Sequence, residues 1–216
     1  MIEFKNVTTT GKGFHLQNIS FCLEDGYIMA LAGENGAGKT TLLKHILDED
    51  VKYEGKILID GIDMKEDRKK CLNKIAYVSD EHLIPEIYPV RKICGLYKDF
   101  YDNWSQERLE KYLTQLEVPG DVLTSQLSRG EFFRMQIAVG LAHHAKVFLM
   151  DEVTSGMDPI FRKELWRLMR EMTIEDVDIV LVTHLMDEVQ QKCDYRGIME
   201  AGQLVAWEES MERIGE

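Results

Sequence analysis

The chain has 216 residues, 44% hydrophobic and 30% charged, a composition that excludes a disordered or fibrous protein and a length that suits one domain. It carries 38 acidic and 26 basic side chains, a formal charge of -12, so its surface repels phosphate backbones and nucleic acid is not expected as a partner. Near the start, Ile2-Glu3-Phe4 and Ile19-Ser20-Phe21-Cys22-Leu23 alternate, and each predicts a short strand. Residues 27–32 read as a buried apolar strand broken by residues 33–38, after which Leu42, Leu43, Ile46 and Leu47 share one helix face. Residues 55–61 predict a strand ending in a turn, and residues 75–78 another strand. From residue 90 to 143 the pattern turns helical, with Leu96, Tyr97, Phe100, Tyr101, Leu109, Tyr112, Leu113 and Leu116 at helical spacing. Strand (147–150), helix (159–172), strand (179–182) and helix (185–192) then alternate, and 195–200 with 203–207 predict a closing hairpin. Such alternation predicts an α/β fold: a mostly parallel sheet flanked by helices, with an inserted helical lobe.

Cys22, Cys71, Cys94 and Cys193 are widely spaced, without a CxxC pair or a histidine at metal-ligand spacing, and are expected to be reduced thiols. No apolar run approaches the roughly 18–20 residues that span a bilayer. The opening Met1-Ile2-Glu3-Phe4-Lys5-Asn6 has neither the basic start nor the apolar stretch of a signal peptide. A cytoplasmic location is therefore expected, with any membrane role supplied through a partner.

Between a predicted strand and a predicted helix, residues 33–40 match G-x-x-x-x-G-K-[ST]. Phosphates need many converging donors, and glycine lets backbone N–H groups curl inward without interference from a Cβ. Gly33, Glu34, Asn35, Gly36, Ala37 and Gly38 supply this cradle, and Lys39 adds a point charge for the β- and γ-phosphates of a nucleoside triphosphate. Thr40 offers a hydroxyl to Mg2+, and Thr41 continues a helix start whose dipole favours an anion. Residues 147–150 form an apolar strand ending in Asp151 and Glu152. Ligands collect at the carboxyl ends of strands in an open parallel sheet. Asp151 is thereby suited to hold Mg2+ through water, and Glu152 to orient or deprotonate an attacking water. In Leu127-Ser128-Arg129-Gly130-Glu131 the pair Ser128 and Glu131 forms a helix capping box, and a capped helix N-terminus is also an anion site.

In this order and spacing the motifs resemble the nucleotide-binding subunit of ATP-binding cassette (ABC) transporters, over essentially the whole chain. Residues 33–40 look like the Walker A motif, 127–131 like the family signature, and 147–152 like Walker B with its catalytic glutamate. Ser155-Gly156-Met157-Asp158 resembles the D-loop and Thr183-His184 the switch histidine. The resemblance implies a P-loop NTPase core with an antiparallel N-terminal β subdomain and a helical lobe at about 86–143, in a single domain over residues 1–216. It implies ATP hydrolysis with Glu152 activating water, Lys39 and His184 at the γ-phosphate, and Thr40, Asp80 and Asp151 at Mg2+. It implies a homodimer, or a heterodimer with a related cassette, closed head-to-tail over two ATP molecules, with Ser128 and Gly130 touching the γ-phosphate held by the partner. It also implies a separately encoded integral membrane permease, which would hold the chain at the inner face of the cell membrane. The short length and the Leu-Ser-Arg-Gly signature look like stand-alone cassettes of bacterial drug and peptide-antibiotic exporters.

Several positions depart from the family pattern. Arg129 and Glu131 replace the signature Gly and Gln, Val153 stands where a proline is usual, and Asp80 stands where the Q-loop glutamine is expected. A carboxylate is a good hard ligand for Mg2+, which is the role expected of Asp80. The adenine-stacking position falls on Thr10 by alignment or on Phe14 as the nearest aromatic, while His15, His45, His82, His143 and His144 have no catalytic context. Leu83, Ile84, Ile87, Tyr88 and Val90 crowd around Pro85 and Pro89, and this segment is expected to dock the permease. A soluble cassette ATPase acting on nucleic acid or ribosomes is the alternative; it calls for a coiled-coil insertion or a second cassette, and the charge of -12 works against it. A small-molecule kinase on the same loop would leave residues 127–131 and His184 without a role.

Overall fold

The computed structural model describes residues 1–10, 15–80 and 87–210. The chain runs through β1 (Ile2–Thr9), β2 (Ile19–Leu23), β3 (Ile28–Ala32), α1 (Lys39–Leu47), β4 (Tyr53–Ile59), β5 (Ile62–Asp63), α2 (Arg68–Leu72) and β6 (Ile75–Ser79). Helices α3 (Val90–Leu96), α4 (Gln106–Gln115) and α5 (Arg129–Ala142) follow. The last part alternates β7 (Val147–Asp151), α6 (Pro159–Ile174), β8 (Asp178–Val182) and α7 (Met186–Lys192), and ends in β9 (Tyr195–Glu200) and β10 (Gln203–Glu209).

Among the described residues these strands form two sheets. The order β2-β1-β4-β5 is antiparallel, as expected for the N-terminal strands. The larger sheet has the order β10-β9-β3-β8-β7-β6 and is parallel except for the β9–β10 hairpin. Parallel neighbours cannot be joined by tight turns, so each pairing draws helices onto a face of the sheet.

Strands β3, β7 and β8 are buried along their whole length, which is why they read as unbroken apolar runs rather than alternating ones. Their period of two still sorts the side chains. Ile28, Ala30, Phe148, Met150, Ile179 and Leu181 enter a core with residues of α5 and α6. Met29, Leu31, Val147, Leu149, Val180 and Val182 enter a second core with α1 and the antiparallel sheet.

The stretch between β6 and β7 is helical but not continuous. α3 ends at Leu96, a 3-10 turn covers Tyr97–Asp99, and Leu96 and Phe100 are exposed instead of lying on a core face. Asn73 holds the break open: its Oδ1 accepts from the Asp102 N–H at 2.8 Å. Ser105 then restarts the chain as α4, its hydroxyl accepting from the Arg108 N–H at 3.2 Å. α5 packs against both α4 and β6. Gly140 permits that approach, since a Cβ there would lie 2.6 Å from the Ala76 Cβ and from the Phe148 ring.

The four cysteines are free, and burial pushes the Cys94 and Cys193 thiols up to about 12, which keeps them protonated. Among the described residues no helix is long and apolar enough to cross a membrane.

Candidate functional site

β3 delivers the chain to the carboxyl edge of the larger sheet, where the turn into α1 needs glycine torsions. Gly33 has φ +149°, and a Cβ on it would lie 2.3 Å from the Met199 carbonyl oxygen. Gly38 precedes α1 at φ 106°, in a region that side chains rarely adopt. The Ala37 N–H donates to the Glu34 carbonyl at 3.1 Å, and the Gly202 N–H donates to the Ala37 carbonyl at 2.9 Å. The loop is thereby tied to the β9–β10 hairpin. A cavity of about 520 Å³ lies against it, lined by Asn35, Gly36, Ala37, Met199, Glu200 and Ala201.

The first N–H groups of α1 lack intrahelical acceptors, which makes the helix start an anion site. Lys39 is 6% exposed; its Nζ donates to the Gly33 carbonyl at 2.7 Å and the Glu34 carbonyl at 3.0 Å. The ammonium is therefore folded over its own loop. Thr41 lies in the first turn of α1, and its carbonyl pairs with His45 Nδ1 at 2.7 Å, while His45 Nε2 meets Thr9 Oγ1 at 2.7 Å. Burial holds His45 below its ordinary value, so it is a structural bridge.

Thr40 Oγ1 donates to Asp151 Oδ1 at 3.2 Å, and the Tyr77 hydroxyl reaches Asp151 Oδ2 at 3.5 Å. A hydroxyl beside one buried carboxylate fits Mg2+, which is held by one or two carboxylates with phosphate oxygens and waters. Among the described residues no cluster of three or more His, Cys, Asp or Glu side chains could hold a metal by itself.

Directly after β7, Glu152 has φ 53°, a conformation costing on the order of 1 kcal/mol for a residue other than glycine. Strain of this kind persists where the surroundings over-determine it, and such places cluster at functional sites. Here the Glu152 N–H donates to the Val182 carbonyl at 3.0 Å and the Glu152 carbonyl accepts from the Ser155 N–H at 3.2 Å. Glu152 Oε2 lies 2.9 Å from His184 Nδ1, with the two side chains 31% and 50% exposed. The pair is open to water. Behind it, Thr183 is buried, its hydroxyl 3.3 Å from that of Thr154.

Ser128 and Gly130 stand apart from this group. The Ser128 hydroxyl donates to Glu131 Oε2 at 2.7 Å and accepts from the Glu131 N–H at 3.3 Å, and the Ser128 N–H donates to the same Oε2 at 2.7 Å. These donors hold the Glu131 carboxyl below its ordinary range, the hydroxyl bond contributing most. Gly130 packs on Phe161, whose ring a Cβ would approach to 2.7 Å. Among the described residues neither Ser128 nor Gly130 hydrogen-bonds to residues 33–41.

Asp80, expected at the metal, has its Oδ1 accepting from Arg129 Nε at 3.1 Å, so one carboxylate oxygen is engaged by a permanent cation at the start of α5. Thr10 is exposed, and Phe14 lies outside the described residues, as do His82, Leu83 and Ile84. In the rest of the expected docking segment Ile87 is exposed and Tyr88 half-buried, but Val90 is fully buried and belongs to the core. Sequence reasoning missed Gln136, whose Nε2 donates to the Ser79 carbonyl at 2.9 Å while its Oε1 accepts from the Ser79 N–H at 3.1 Å. A glutamine in mid-helix carries no motif that could have flagged it.

The sequence profile of the family described as ABC transporter matches residues 16–155. The chain is 29% identical over 197 residues to the Nod factor export ATP-binding protein I of Neorhizobium galegae, covering 88% of this chain and 56% of that protein. It is 29% identical over 212 residues to the probable multidrug ABC transporter ATP-binding protein YbhF of Escherichia coli, covering 95% and 36%. A third relative, the methionine import ATP-binding protein MetN 1 of Rhodococcus jostii, is 34% identical over 223 residues, covering 95% and 65%. The chain thus spans 36% to 65% of the length of these relatives. In fold it is similar to a solved ATP binding subunit of an ABC transporter, with a TM-score of 0.86 at 24% identity over 97% of this chain and 90% of that one. It is also similar to a dimeric ATP-binding cassette in a post-hydrolysis state bound to ADP and Pi, with a TM-score of 0.83 at 23% identity over 99% of this chain and 100% of that one.

Proposed function

This chain belongs to the ABC transporter family, and we propose that it is the ATP-binding and ATP-hydrolysing subunit that powers a separate membrane permease. One observation carries the reading: Lys39, the Thr40–Asp151 pair and the Glu152–His184 pair converge at the carboxyl ends of β3, β7 and β8. Residues 33–41 bind the phosphates of ATP, with Lys39 Nζ exchanging two loop carbonyls for phosphate oxygens. Thr40 and Asp151 would hold Mg2+, which when bound neutralises charge on those oxygens. Glu152 accepts a proton from the attacking water, its carboxylate partly open to solvent beside His184. With Nδ1 committed to Glu152, the other ring nitrogen of His184 is left for a phosphate oxygen.

Ser128 and Gly130 are assigned to the γ-phosphate held by a partner cassette, a second copy or a related chain, because within one chain they meet Glu131 and Phe161 instead of residues 33–41. Binding to a permease places the chain at the inner face of the membrane. Export is the direction named for the Nod factor relative, and it is adopted here on that ground, although the methionine relative is named for import.

Replacing the base tests the reading. Glu152→Gln is expected to keep ATP binding while lowering turnover by at least about a hundredfold. With ATP and Mg2+ the variant should elute from a sizing column as a dimer. Turnover at the wild-type rate would remove Glu152 from the chemistry, and a monomer with nucleotide demonstrably bound would remove the shared site.

A further inference from the structure

Arg129 is the first residue of α5, and its guanidinium touches three parts of the fold. Nε donates to Asp80 Oδ1 at 3.1 Å, just past β6, and Nη1 donates to the Ser155 carbonyl at 2.5 Å, three residues past Glu152. Beneath it lies the buried ring of Phe133, 5.5 Å from the guanidinium carbon, one turn further along α5. The loop after β7 makes room for this group: Gly156 has φ +67°, and a Cβ there would come within 2.9 Å of Nη1.

The two loops that Arg129 joins leave neighbouring strands, since Ser79 pairs with Asp151 in the parallel register of β6 and β7. Seven residues on, and so on the same helix face, Gln136 holds both backbone groups of Ser79. α5 is therefore clasped to the end of β6 at two points two turns apart. Of these, Arg129 alone also reaches the loop that carries Glu152.

The ion pair is 37% and 51% exposed at its two side chains, so its contribution to global stability is small. Its geometry is more informative. A planar fork that satisfies a carboxylate and a carbonyl at once fixes direction in a way that a lysine ammonium does not. The pair also neutralises Asp80, which would otherwise place a free negative charge beside the strand ends.

We propose that Arg129 is a positioning residue: it clamps the N-terminus of α5, with Ser128 and Gly130, to the loops after β6 and β7, so that the signature surface and the Glu152 loop move as one body. The proposal rests on the hydrolysis reading for its consequence, but the clamp itself can be measured without it.

The test uses the full chain as wild type, Asp80→Ala, Arg129→Ala, Arg129→Lys and the Asp80→Ala/Arg129→Ala double variant. Without nucleotide, Arg129→Ala should speed amide exchange in residues 153–157 by about tenfold or more while residues 33–41 keep their wild-type rates. In turnover, Arg129→Ala should lower kcat by about tenfold with KM for ATP within about twofold. Arg129→Lys should not restore it, and it supplies the comparison if the alanine variant does not fold. Because Asp80 and Arg129 act through one contact, the double variant should be no worse than Arg129→Ala. Unchanged exchange in Arg129→Ala would overturn the clamp. Losses that multiply in the double variant would also overturn it, and would show Arg129 and Asp80 acting independently. A wild-type chain without ATP turnover would sink the hydrolysis reading instead, with the exchange measurement still judging the clamp.

Discussion

Glu152 and His143 are both held rigidly, but one carboxylate is turned to water and the other side chain is shut away from it. His143 closes α5, is 1% exposed and stacks on Tyr101 with ring centroids 3.7 Å apart. Burial pushes its pKa from the ordinary 6.5 down to about 4. The folded chain therefore keeps this imidazole neutral across a range where the unfolded chain protonates it. The unfolded state then binds more protons, so the contribution is fully present above about pH 6.5 and is lost as pH falls through about 4, amounting in full to about 3 kcal/mol. His143→Gln should flatten this limb. Urea unfolding at pH 7 and pH 4.5 should show the wild type losing about 2 kcal/mol more than the variant between the two conditions. Equal losses would mean that His143 is protonated in the folded chain as readily as in the unfolded one.

At the scale of elements, α5 decides how the helical segment meets the sheet. It starts with a reciprocal cap between Ser128 and Glu131 and is buried over most of its length. Alanine normally suits a helix interior better than glycine by about 1 kcal/mol. At Gly140 that preference is opposed by rigid neighbours, the Ala76 Cβ and the Phe148 ring, each 2.6 Å from the new methyl position. Overpacking a well-filled core costs roughly 1–3 kcal/mol, so Gly140→Ala should lower the urea midpoint instead of raising it. A stabilised variant would show that α5 can slide away from β6 at little cost. A break in the chain explains why the helical pattern misled at Leu96 and Phe100. Their spacing fits one face, but the chain leaves the helix at Tyr97–Asp99 and is caught at Asp102 by Asn73, the residue that ends α2 and stands 29 positions earlier in the sequence.

For the molecule as a whole, a formal charge of -12 sets the terms on which two copies would meet in the proposed dimer. Like-charged bodies repel over a screening length that shrinks from on the order of 20 Å in dilute buffer to about 8 Å at physiological ionic strength. Association of Glu152→Gln chains with ATP and Mg2+ should therefore tighten by a few-fold as salt rises over that range, as light scattering at several concentrations would record. Weaker association at higher salt would show that attractive pairs across the interface outweigh the net charge.

The glycine-rich turn at 33–40 and the acidic end of β7 were legible in the sequence because their physics is local, whereas Thr183-His184 was singled out by its resemblance to the family. Glycine torsions, the donors of a helix start and the burial of a strand belong to contiguous residues, and the alternation of strands and helices carried the parallel sheet with it, while the antiparallel one came from the resemblance. Partnerships between distant residues were not legible. Nothing near Asp80 in the sequence announces its partner Arg129, 49 positions later. Val90 reads as a docking residue until α3 buries it, and Gln136 reads as nothing until it meets Ser79. Each of these depends on the angle and depth at which a helix settles onto the sheet. That is decided by side-chain packing summed over several elements, and no periodicity within one of them contains it.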